Sequence, residues 1–453
     1  MRKRWMFAVV GAAMLALLPL TLTAQTTKKT LGVKLPAIKT WKMKNGLKVA
    51  YLRLNKAPVV TVQVWYRVGS KDEAPNRRGS AHMFEHMMFK GTTHVPPEEH
   101  ARHLNRLGGY VNAFTREDTT AYHNTLPKEY MDFAIKLEAE RMRNLVFRKE
   151  MIDKEREVVK TEVRQQENHP VFKGLLKFLE LSFSKHPYAW TAGGALKDLD
   201  NTTVADLKKF YDAYYVPNNA MLVVVGDVSE AQVRASANKW FGKVKRGKAP
   251  PRPANEKTEP KQKKSRRVVV APGQVGMVIS GFHIPAAKHV DIYALQVLGL
   301  ILSSGQSSRL HQRLVEKDKI AVQANGQVVI REHPGLFGLF GLYLKRSSGP
   351  AIEKALIDEI EKIKRTPPTP RELRKAKNQI LATFIRGLDK VTDLASQIGT
   401  SWILTGDSTQ WVRDLAKLQK VTRKQIQDVA KKYFIKSNMT TVVIPPVQRG
   451  GSK

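Results

Sequence analysis

The chain has 453 residues, with 77 Lys and Arg against 40 Asp and Glu, a formal charge of +37. Its length suits two or three domains with cores of their own, and a hydrophobic content of 42% excludes a wholly disordered chain. Cys is absent, which excludes disulfides, thiol nucleophiles, iron–sulfur clusters and Cys-held zinc, so any metal must sit on His and carboxylates. The charge excess points to an anionic partner without choosing among nucleic acid, lipid headgroups and a polyanionic surface.

Arg2, Lys3 and Arg4 precede an apolar run over residues 5–18, which Pro19 ends. Small residues up to Ala24 then offer a cleavage point before Gln25. This is the layout of a secretory signal over residues 1–24. The run is shorter than the roughly 20 residues a membrane helix needs, which disfavours a retained anchor. No Cys follows it, so a lipid-modified N-terminus is excluded. The expectation is an exported protein, placed in the periplasm of a Gram-negative bacterium.

Apolar, β-branched runs at residues 47–54 and 59–68 read as strands. Residues 79–92 then read as a helix carrying His82, Glu85 and His86. Positions i, i+3 and i+4 share one helical face, so the three polar side chains converge. Two imidazoles one turn apart can grip one Zn²⁺, and a carboxylate beside them can take a proton from an attacking water. The flanking Met83, Phe84, Met87, Met88 and Phe89 are apolar, so an unliganded polar cluster there would carry a desolvation cost that a metal offsets. Residues 151–167 form a second helix with Glu155 and Glu162 two turns apart on one face. By spacing, either could close a His₂Glu site with one open position. An ordinary solvated charged helix would look the same.

Residues 245–267 hold four Pro, ten Lys and Arg and two Glu, the composition of an extended, solvated connector. Strands follow at residues 268–270 and 276–282. The two flanks resemble each other at an offset of 219 positions: Tyr214 meets Tyr433, Asn219 meets Asn438, Leu199 meets Leu418 and Thr203 meets Thr422. Thr203 and Thr422 both look like helix N-caps. A duplicated unit is the economical explanation. The expected organisation is a signal (1–24), an N-terminal domain (35–244), the connector (245–267) and a homologous C-terminal domain (268–447). Each domain is α+β, with an antiparallel-rich sheet packed by helices.

Four stretches carry a resemblance to the inverzincin metallopeptidases, the pitrilysin, insulin-degrading-enzyme and mitochondrial-processing-peptidase family. They are His82 to His86 with the tail Phe89-Lys90-Gly91-Thr92; Gly108 to Thr115 with Asp118, Thr120 and Tyr122; Glu155 to Glu162; and His186-Pro187-Tyr188 with Asn218, Asn219, Gly226 and Asp227. With the second half, the likeness covers roughly residues 35–447. It implies one zinc ion per chain on His82, His86 and Glu162, Glu85 as general base, and Glu155 as a carboxylate behind the ligands. It also implies that an extended peptide adds to a sheet edge near Asn112, Ala113 and Phe114. From the residues alone, Asn112 reads as an ordinary turn residue after Gly108 and Gly109.

One departure matters. The family's C-terminal half carries an Arg and a Tyr in an L-R-E-K-x-G-L-A-Y pattern, and here Val315 and Val322 stand in their places. Neither can donate a side-chain hydrogen bond or supply charge. A half-length member provides only half of the family's clamshell chamber. Either the enzyme is weak or a second chain supplies the missing pair, and the resemblance favours a heterodimer whose related partner chain brings the Arg and Tyr. Two other classes compete: a non-catalytic structural subunit, and a binder of anionic polymers. An intact His-Glu-His set argues against the first. No nucleic-acid motif supports the second, and the charge stays open to three roles: solubility, contact with an anionic envelope surface, or a preference for acidic peptides.

Overall fold

The computed structural model describes residues 37–447, apart from residues 256, 345 and 346. The leader expected over residues 1–24 lies outside the described residues. Among the described residues, no helix is long and apolar enough to cross a membrane.

The first sheet contains β1 (Lys39–Lys42), β2 (Lys48–Arg53), β3 (Val59–Tyr66), β4 (Tyr110–Thr115), β5 (Thr120–Pro127) and β6 (Ala220–Gly226). The second contains β7 (Arg266–Val269), β8 (Gly276–Ile284), β9 (Gln323–Val329), β10 (Gly335–Tyr343) and β11 (Met439–Ile444). Their orders are β1-β2-β6-β3-β5-β4 and β7-β11-β8-β10-β9. Without β1, the second order is the first, strand for strand. The senses agree too: β2–β6 and β7–β11 are parallel, and the other pairs are antiparallel. The duplicated α+β fold expected from the sequence is the fold found.

Local chemistry repeats with the topology. Thr203 and Thr422 each close a capping box, accepting from the amides of Asp206 and Gln425, the arrangement that satisfies otherwise orphaned donors at a helix start. Asn219 donates to the carbonyls of Tyr214 (2.8 Å) and Arg67 (3.3 Å). Asn438 makes the matching bonds to Tyr433 (2.8 Å) and His283 (3.0 Å). Each Asn ties the end of its helix to its sheet.

The central strands are buried on both faces, which explains the unbroken apolar run from Met221 to Val225. Val62, Val64, Leu222 and Val224 pack under helices of their own half. Trp65, Met221 and Val223 face the other way and meet Leu394, Ala395, Ile398 and Trp402 of the helix Val391–Thr405, from the second half. The exchange is reciprocal. The helix Pro170–Ser182 lays Phe178 and Leu179 on Met277 of β8 and Ile444 of β11. Each half thus lends one helix to the other's sheet. The fit is close: a Cβ on Gly399 would stand 2.1 Å from the Trp65 ring.

A buried polar hub adds to the join. Lys71 is 1% exposed and faces Asp72 (3.2 Å), Asp118 (3.5 Å) and Glu332 (3.3 Å). Burial opposes its charge, but the three carboxylates outweigh this and raise its proton affinity above the ordinary lysine range. Tyr188 donates to Asp118 at 2.6 Å, and the Glu332 amide donates to its other oxygen at 3.1 Å. The described residues of 245–265 form no helix or strand and are mostly exposed. They are nonetheless strapped down: Asn218 bonds Gly247 and Lys248, Arg252 bonds Asn219, and Glu259 accepts from the amides of Ser184, Lys185 and His186.

Candidate metal centre

The helix Ser80–Met87 starts from Gly79, whose φ of +100° lies in the left-handed region that glycine enters without penalty. A Cβ there would meet Leu199 at 2.7 Å. Because Gly79 has no capping side chain, a distant one does the work. Buried Glu73 accepts from the amides of Gly79 (3.0 Å) and Ala81 (2.9 Å). Burial pushes its carboxyl up to about 8, although those two amides and Trp190 pull against the shift. The apolar face carries Met83, Phe84 and Met87, all at most 1% exposed. Phe84 stacks near Phe210 and Tyr211, and Tyr122 donates to its carbonyl at 3.0 Å. This packing turns His82, Glu85 and His86 to the opposite side.

The helix Lys149–Glu167 runs alongside and separates its two glutamates by position. Glu162 Oε2 lies 3.6 Å from His82 Nε2 and 3.7 Å from His86 Nε2. Glu155 instead sits behind His86, with Oε1 2.7 Å from Nδ1. Its other oxygen meets Lys90 Nζ at 2.8 Å, and Lys90 also bonds Glu98 at 2.7 Å. Burial would raise the Glu155 carboxyl, but His86 and Lys90 hold it below its ordinary range. A carboxylate held anionic can only accept, so His86 donates from Nδ1 and turns Nε2 toward Glu162.

His82 is pushed down to about 3 by burial and by the charge of His86, so it is neutral, the form that ligates metal. Its Nδ1 is buried without a hydrogen-bond partner among the described residues. For His86 burial works against the charge, but Glu155, Glu162 and Glu85 together raise its proton affinity. Burial raises the Glu85 carboxyl, opposed mainly by Thr115 and His86. One ligand atom from each of His82, His86 and Glu162 falls within 4.8 Å of the others. Corners of a tetrahedron around Zn²⁺ at about 2.0–2.1 Å stand roughly 3.3–3.4 Å apart, so the set fits such an ion with small adjustments.

Asn112, Ala113 and Phe114 lie on β4, an edge of the first sheet beside the His82 helix. Asn112 is exposed and bonds Tyr110 Oη at 3.0 Å. Ala113 packs on the first half's core, while Phe114 meets Trp65 edge-on at 5.4 Å. Val315 lies in a π-helix, His311–Lys317, and packs against the second core; Val322 is 47% exposed. Sequence reasoning assigned no role to Lys90, Glu73 or Thr115. Lys90 follows His86 by four positions and was readable as a same-face neighbour. Glu73 carried no signal, because its contact depends on a loop folding back.

Two sheets repeat one topology, and helices beside the first bring together His82, His86 and Glu162, a group that could hold a metal ion. Residues 48–182 match the insulinase family, peptidase family M16, and residues 201–380 match the peptidase M16 inactive domain. The zinc protease PqqE of Helicobacter pylori is 33% identical over 419 residues, covering 91% of this chain and 94% of that protein. The uncharacterized zinc protease YmxG of Bacillus subtilis is 25% identical, covering 90% and 98%. The crystal structure of a protease from Helicobacter pylori aligns with a TM-score of 0.88 at 32% identity, covering 91% of this chain and all of that one. The first half of the periplasmic protease PqqL from Escherichia coli shares the fold, with a TM-score of 0.75 at 19% identity over 92% of this chain and 94% of that one. The chain belongs to peptidase family M16.

Proposed function

We propose that this chain is the catalytic subunit of an exported zinc endopeptidase. The observation that carries this reading is the convergence of His82 Nε2, His86 Nε2 and Glu162 Oε2 beside Glu85. His82, His86 and Glu162 hold one zinc ion per chain, and Glu155 orients His86 through Nδ1. Zinc bound there supplies a Lewis acid that polarises the scissile carbonyl and acidifies water. Glu85 takes the proton from the attacking water and returns it to the leaving amine. The peptide lies extended along the outer edge of β4 at Asn112, Ala113 and Phe114. Backbone hydrogen bonds then dominate recognition, and sequence preference is loose.

Val315 and Val322 offer no charge and no donor, so a related partner chain supplies the Arg and Tyr in a heterodimer. The leader-like start and the periplasmic neighbour of the same fold support export to the periplasm. The test is metal analysis of protein co-purified from the cell envelope, followed by peptidase assays with and without the partner. Stoichiometric zinc, with turnover that Glu85→Gln abolishes, is expected. Metal-free, inactive protein in both preparations would favour a structural subunit, and robust turnover by the purified chain alone would sink the heterodimer.

A further inference from the structure

A group of exposed cations stands where three segments meet: the β1–β2 turn, the end of the helix Glu230–Phe241, and the start of the connector. Asn45 of the turn donates to the carbonyls of Phe241 (2.7 Å) and Val244 (2.9 Å). The Arg246 guanidinium lies against Gly46, whose φ is +95°, so closely that a Cβ there would stand 2.5 Å from it. Asn218 pins the next residues by accepting from Gly247 and donating to Lys248. These contacts gather Lys44, Lys243, Lys245, Arg246 and Lys248, all exposed, around one junction.

Among the described residues, none of the five forms an ion pair. Nearby acids are already engaged, Asp132 with Lys239 and Glu230 with Arg234. A run of solvated lysines is the usual outcome on a basic protein, and lysines on the edge strand β1 also discourage sheet-to-sheet pairing. One further feature sets this face apart. Two tryptophans flank it, each under cations: Arg234 stands 3.9 Å over Trp41, and Lys239 and Lys243 lie 4.6 and 5.7 Å from Trp240. Tryptophan with Lys and Arg is the pairing that suits a membrane–water interface.

We propose that this face docks the protein onto an anionic lipid bilayer, with the five cations against the headgroups. The attraction is electrostatic and reversible. At about fivefold in affinity per Lys or Arg near the surface, four cations account for a factor of several hundred. Held this way, the protein stays at the membrane whether or not the apolar run is present.

The test is sedimentation of the full chain with vesicles of phosphatidylcholine alone or with 30% phosphatidylglycerol. The variant Lys44→Glu/Lys243→Glu/Lys245→Glu/Arg246→Glu is compared with a charge-matched control altered elsewhere, Lys173→Glu/Lys288→Glu/Lys317→Glu/Lys420→Glu. The apolar run is common to all three proteins, so its binding to neutral vesicles cancels. The wild type and the control should bind phosphatidylglycerol vesicles at least tenfold more tightly than neutral ones, with the gain lost in 0.5 M NaCl. The patch variant should lose at least 100-fold of any larger gain, or the whole of a smaller one, with unchanged circular dichroism. Equal losses in patch variant and control would mean net charge alone acts, and the proposal falls. It falls equally if the patch variant loses binding to heparin but not to vesicles, which would assign the face to a soluble polyanion.

Discussion

The helix Ser80–Met87 and the helix Asp291–Ser303 occupy equivalent places in the two halves, each packed against its sheet's edge strand, β4 or β9. The first presents His82, Glu85 and His86 on one side. The second is buried throughout from Ile292 to Leu302, with Leu295, Leu298 and Leu302 wholly enclosed. The facing helix follows suit: at the 219-residue offset, Glu155 meets Arg374 and Glu162 meets Leu381. Strand order, capping boxes and the Asn latches survive in both halves, while the polar cluster survives in one. Frame and site therefore draw on different residues. A half-buried cluster of two imidazoles and two carboxylates costs desolvation free energy. Where nothing compensates, an apolar face is the more stable solution.

The sharpest way to break this asymmetry is at Glu85. Glu85→Gln keeps shape and removes the proton acceptor, so peptidase activity should fall by about 10²–10⁴-fold while metal content by elemental analysis stays at the wild-type level. A variant that keeps its activity would show that the His-Glu-His side is as inert as its counterpart. Next in size is the join between the halves. Lys71→Met leaves Asp72, Asp118 and Glu332 facing one another in the interior and should cost about 3–5 kcal/mol, read as a lowered urea midpoint. A loss no larger than that of an exposed lysine would mean the halves do not depend on the hub. Smaller still, Gly399→Ala drives a methyl into the Trp65 ring and should cost about 1–3 kcal/mol, as a lowered melting temperature without loss of metal.

Much of the frame could be read because its signals are local. Thr203 and Thr422 announce helix starts through a side chain and an amide three residues on. The runs at residues 47–54 and 59–68 announce β2 and β3, and His82 and His86 are one turn apart on one helix. Spacing left Glu155 and Glu162 interchangeable, since both lie on one face; only packing against the His82 helix puts one behind His86 and the other before both imidazoles. The exchange of the helices Pro170–Ser182 and Val391–Thr405 was invisible. An apolar helical face says that it is buried, not against which sheet. The hub was invisible for a like reason: Lys71 meets Asp118 only through a loop contact within the first half, and Glu332 joins them only after the halves meet.

The smallest effect compares Glu372 with Asp153, its counterpart at the same offset. Glu372 caps its helix through Thr369 and takes a two-pronged contact from Arg309, at 2.6 and 3.0 Å. Burial opposes its charge, but Arg309 and Thr369 overcome this and hold its carboxyl down to about 2. A carboxyl depressed on folding contributes stability above its unfolded value of 4.5, and the contribution fades as pH falls through about 2. Glu372→Gln should therefore cost about 1–2 kcal/mol at pH 7, with the gap to wild type narrowing steadily below pH 4.5. Asp153 pairs with Lys149 and Arg156 on an open surface, where water and salt screen such contacts, and Asp153→Asn should leave the melting temperature nearly unchanged. Equal shifts for the two variants would mean that the second half, for all its apolar filling, relies on surface charge no more than the first.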